Sequence, residues 1–124
     1  MLLAAVDDLL FSSKIRSVAE HAGEPVMFVR ARADVVPKLV ETGARAAIFD
    51  LDHAALDPIG AITEIRSRGD LAHVRLLAFV RHTSAESIAQ ARRAGADVVL
   101  ARSAFFPARP DLIARPDASS AAAT

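Results

Sequence analysis

The sequence predicts an α/β fold: a three-layer sandwich around a five-stranded parallel sheet of order 2-1-3-4-5, with a shortened last helix. Three observations predict it. Short apolar runs with no alternating polar face recur along the chain, as strands buried on both sides require. Apolar residues at helical spacing follow the runs, and a Gly then stops the pattern. The connections are short, and right-handed crossovers leave few topologies for such an alternation.

The first strand is read at residues 2–6 (LLAAV), ended by Asp7 and Asp8. From Ser12, Ile15, Val18, Ala19 and Ala22 mark a helix that stops at Gly23. Residues 25–29 (PVMFV) form the second strand. Asp34 is then placed to cap a helix carrying Val36, Leu39 and Val40, with Pro37 in its first turn and Gly43 as its end. Residues 46–50 (AAIFD) form the third strand. Asp57-Pro58 starts a helix bearing Ile59, Ile62 and Ile65, which Gly69 ends.

Residues 74–80 (VRLLAFV) form the fourth strand. Thr83 and Glu86 then form a capping-box pattern before a helix with Ile88, Ala91 and Ala94 that stops at Gly95. Residues 97–100 (DVVL) form the fifth strand. Pro107, Pro110 and Pro116 leave room only for a short helix near 110–114. The organisation read from this is one domain over 1–116 and a disordered tail over 117–124 (DASSAAAT).

Composition excludes several classes of function. The chain of 124 residues has the size of one ordinary domain. It has no Cys, which excludes disulfides and thiolate metal sites and fits a cytoplasmic location. Fifteen basic residues balance fifteen acidic ones, and all six aromatics are Phe, so no nucleic-acid surface is expected. No apolar run approaches a membrane span, and the first residues lack the basic segment and cleavage site of a signal peptide. The four His have no metal-ligand spacing.

The chemistry-bearing residues fall at strand ends. In an open parallel sheet, ligands bind beyond the carboxyl ends of the strands. Asp7 and Asp8 stand there on strand one and Asp50 on strand three, and in the order 2-1-3-4-5 those strands are neighbours. Asp is common after strands because it favours turns, but three carboxylates converging from distant segments is a stronger pattern. Such close like charges call for a cation, and a hard divalent ion such as Mg²⁺ suits an oxygen-rich site.

The stretches AAVDD (4–8), AAIFDLD (46–52) and ARRAGADVVLARSAF (91–105) together resemble three landmarks of the receiver domains of two-component response regulators. The resemblance runs from residue 1 to about residue 106. It implies a flavodoxin-like signalling module rather than an enzyme. It also implies that Asp7 and Asp8 bind Mg²⁺, that Asp50 is the phosphoacceptor, and that the backbone carbonyl of Asp52 completes the metal site. The implied partners are a histidine kinase or phosphotransfer protein and a downstream protein.

The sequence departs from that family at two places. Val80 stands where a Ser or Thr usually ends strand four, and Arg102-Ser103 stand where a Lys and a Pro usually follow strand five. Arg102 keeps the charge and is a candidate phosphate contact. Two functions therefore stay open: an atypical receiver phosphorylated at Asp50, and a pseudo-receiver that binds partners without phosphorylation. The stretch FDLDHAAL (49–56) also resembles the first motif of haloacid dehalogenase-type phosphatases, with Asp50 as nucleophile and Asp52 as general acid; His53 and Ala54 break that pattern.

Other residues carry weaker signals. His53 adjoins the acids, and His82 follows strand four where a hydroxyl is missing; a solvated loop accounts for either. Arg92 and Arg93, near Arg102, mark a face that in such domains makes dimers or meets partners, although a solvated helix face has the same composition. Phe105 and Phe106 suit either core packing or an apolar partner patch.

Overall fold

A computed structural model describes residues 1–82 and 84–105. Its five strands are β1 (Leu2–Ala5), β2 (Val26–Phe28), β3 (Ala46–Asp50), β4 (Arg75–Val80) and β5 (Val98–Ala101). All pairings are parallel, and the order is β2-β1-β3-β4-β5. The helices are α1 (Leu9–Ala22), α2 (Val35–Thr42), α3 (Pro58–Arg66) and α4 (Ala85–Ala94). The proposed helix near 110–114, the tail over 117–124 and Phe106 lie outside the described residues.

The inner strands β1, β3 and β4 are buried because both sheet faces are covered, whereas the edge strands β2 and β5 are mostly half-buried. Leu3, Ala47, Phe49, Leu76 and Ala78 face one side, where they pack with Val36 and Leu39 of α2, Ile62 and Ile65 of α3, and Ala91 of α4. Leu2, Ala4, Ile48, Leu77 and Phe79 face the other, against Phe11, Ile15 and Val18 of α1. This is the two-residue period of a strand, apolar in both phases. Each fully buried Leu, Ile or Phe contributes about 1.5–3 kcal/mol.

Some boundaries differ from the sequence reading, each for a local reason. α1 begins at Leu9, not Ser12, because the Asp8 carboxylate caps it. Leu9 and Leu10 are exposed, so the first turn carries no inward apolar pattern to reveal it. Asp34 precedes α2 but makes no side-chain cap bond; a 3₁₀ turn (Arg32–Asp34) leads into the helix instead. α3 ends at Arg66 with Ser67 as its cap, and Gly69 opens a separate 3₁₀ turn. Ser84 caps α4 through the Ser87 N–H, whereas Thr83, expected in that role, lies outside the described residues. Gly23 and Gly43 end α1 and α2 at φ 69° and 66°, a conformation that costs glycine little.

Asp97 fixes the start of β5. Its Oδ2 accepts from Leu76 N–H (2.8 Å) and from Arg66 Nη2 (2.6 Å), so one carboxylate ties β4, β5 and α3 together.

Candidate functional site

The carboxyl ends of β1, β3, β4 and β5 surround a hollow of about 250 Å³ lined by Asp7, Asp8, Asp50, Asp52, His53, Arg81 and Arg102. Asp7, Asp8 and Asp50 are thus brought together, as the strand order requires. Neighbouring pairing of β1 with β3 is what joins them.

Asp50 ends the central strand and is buried, with only 4% of its side chain exposed. Its Oδ1 accepts from the backbone N–H of Asp52 at 3.0 Å. Its Oδ2 accepts from Arg102 Nη2.

Asp8 has two tasks. Oδ1 accepts from Phe11 N–H at 2.8 Å as the cap of α1, and Oδ2 accepts from Arg102 Nη1 at 3.2 Å. The Phe11 bond, with Arg102 adding to it, holds the Asp8 carboxyl below the usual carboxylate range against the opposing effect of desolvation. Asp7 is half exposed and faces Arg30 Nε at 3.5 Å and the imidazole Nε2 of His53 at 3.7 Å.

Arg102 enters from the turn that follows β5 and is 14% exposed. Its guanidinium carbon lies 4.9 Å from the centre of the Phe11 ring, a cation–π distance. One arginine therefore joins the carboxylates of β3 and of the loop after β1.

Asp52 is exposed, and its Oδ2 accepts the backbone N–H of Arg81 at 2.6 Å. That bond ties the loop after β3 to the end of β4. Val80 ends β4, almost wholly buried, and offers no hydroxyl. His82 is exposed and is not among the residues lining the hollow; Arg92 and Arg93 are exposed on α4. Sequence reasoning missed Arg30 and Arg81. An Arg just after β2, the strand beside β1, was a legible signal for the first; the second acts through its backbone, which no side-chain motif reveals.

Among the described residues no three His, Cys, Asp or Glu side chains are arranged to hold a metal. All four oxygens of Asp8 and Asp50 accept bonds from Phe11, Asp52 and Arg102. As placed, these residues do not fit Mg²⁺, which requires near-octahedral oxygen coordination.

No family model matches the sequence, and no curated protein matches it. Solved structures do match the fold. The receiver domain of a DNA-binding response regulator from Colwellia psychrerythraea is 16% identical at a TM-score of 0.80, over 90% of this chain and 93% of that one. The receiver domain of a sensor histidine kinase from Pseudomonas aeruginosa, with magnesium coordinated in its active-site cleft, is 20% identical at 0.73, over 90% and 88%. A Mn²⁺-bound response regulator is 13% identical at 0.70, over 81% and 78%. The fold of this chain is that of a response-regulator receiver domain.

Proposed function

We propose that the chain is a receiver-like signalling module of the phosphorelay class, with Asp50 as phosphoacceptor and output through protein–protein contact. The observation that carries this is the setting of Asp50: a nearly buried carboxylate at the end of the central strand, opening onto a polar hollow. The partners would be a histidine kinase or phosphotransfer protein and a downstream protein.

The chemistry follows from the groups present. A carboxylate oxygen of Asp50 attacks the phosphorus of a phosphohistidine, and the phosphorus–nitrogen bond breaks. The leaving imidazole keeps the electron pair and takes a proton from solvent. The Asp52 N–H orients the carboxylate, and Arg102 is placed to exchange its bond to Asp50 for one to a phosphoryl oxygen. No step runs through a divalent ion. The added charge and acceptors would then alter the Arg102 contacts and the loop that carries them.

The second reading is a pseudo-receiver that binds partners without phosphorylation. It is favoured by the same Arg102–Asp50 pair, which already engages the acceptor, and by the missing hydroxyl at Val80.

Intact-mass measurement after treatment with acetyl phosphate, with and without Mg²⁺, separates the two. The phosphorelay reading requires one added phosphoryl group on the wild type and none on Asp50→Asn. A wild type that gains no mass in either condition leaves the pseudo-receiver.

A further inference from the structure

We infer that Arg102 is the resident cation of the acidic hollow, and that a divalent ion can bind Asp8 and Asp50 only by displacing it. The inference starts from charge. Two carboxylates this close need a counter-charge. Arg102 supplies it from within the chain, with one Nη on each acid.

Geometry makes the arrangement exclusive. The second oxygen of each carboxylate is already held by a backbone N–H, that of Phe11 for Asp8 and that of Asp52 for Asp50. An ion bound through the oxygens that face Arg102 would meet the guanidinium at contact distance. Asp7, the other acid at this rim, is turned toward Arg30 and His53.

Three features keep Arg102 in place. It is mostly buried, its guanidinium lies on the Phe11 ring, and Phe11 is itself fully packed in the α1 face of the core. A free ion must therefore compete with a cation that is tethered to the site at high effective concentration.

The test is binding of Mn²⁺, followed by electron paramagnetic resonance, and the thermal shift produced by Mg²⁺, on the full chain. Wild type is compared with Arg102→Gln, which keeps a polar side chain without charge, and with Arg102→Lys, which keeps the charge on one nitrogen. The expected result is Mn²⁺ binding roughly tenfold or more tighter in Arg102→Gln than in wild type, with Arg102→Lys between them. Mg²⁺ at about 10 mM should raise the melting temperature of Arg102→Gln by a few degrees and leave wild type unchanged. Should Arg102→Gln fail to fold, tighter binding by Arg102→Lys than by wild type carries the same meaning.

Equal affinity in wild type and variants would overturn the inference, because Arg102 would then not obstruct the ion. Absence of binding in every chain would overturn it too, because the acids would then form no cation site to obstruct. Cation binding and phosphoryl transfer are separate readouts, so either can fail while the other stands.

Discussion

Arg102 Nη1 lies 3.2 Å from Asp8 Oδ2, joining residues 94 positions apart in the chain. The same Asp8 caps α1 through its other oxygen. One side chain thus links the start of the first helix to the turn after the last described strand. That link makes the acidic hollow a structural element as well as a candidate site.

Replacing Asp8 should separate these two tasks. Asp8→Ala loses the cap and leaves Arg102 short of an acceptor, at a cost of about 2 kcal/mol. Asp8→Asn keeps a capping oxygen and loses only the ion pair, at about half that cost. Urea unfolding followed by circular dichroism measures both. Equal losses would mean that the cap contributes nothing.

Acid should destabilise the fold through Asp8 and Glu24. Burial alone would raise the Glu24 carboxyl, but hydrogen bonds from the N-terminal ammonium and Arg45 outweigh it and hold it below its ordinary value. Asp8 is also lowered. A group lowered in the folded state binds fewer protons there than in the unfolded chain. Its stabilising effect is complete above the ordinary carboxylate pKa of about 4, and fades as pH falls through the lower folded value. Melting temperature should therefore hold from neutrality to about pH 5 and fall below it. The fall should be shallower in Asp8→Asn; an unchanged slope would count against the assignment.

Gly60 should prove coupled to Asp57. Asp57 sits at φ 42° and caps α3 through Gly60 N–H, and a Cβ on Gly60 would collide with the Asp57 carboxylate. Gly60→Ala gains about 1 kcal/mol of helix propensity and loses a cap of similar size, so its net effect should be near zero. In an Asp57→Gly background nothing opposes the gain, and the same substitution should stabilise by about 0.5–1 kcal/mol. A double-mutant cycle in urea measures this, and simple additivity would disprove the coupling.

By itself the sequence determined the alternation of strands and helices and the positions of the acids at strand ends. Those signals are local: the apolar runs 46–50 and 74–80, the stops at Gly23, Gly43 and Gly95, and the Asp57-Pro58 start each declare themselves within a few residues. Chirality and short connections left few strand orders, and the common order 2-1-3-4-5 among them places Asp7, Asp8 and Asp50 at one rim.

Only the tertiary structure decided what those acids do there. Whether Asp8 meets an ion or a guanidinium depends on where the turn after β5 delivers Arg102, and that is set by the sheet register across β1, β3, β4 and β5. The first turn of α1 escaped the sequence reading for a related reason. Its Leu9 and Leu10 face outward, and the capping bond that defines it is a contact, not a pattern. Periodicity records which side of an element is buried; it carries no record of which charged group arrives from the far end of the chain.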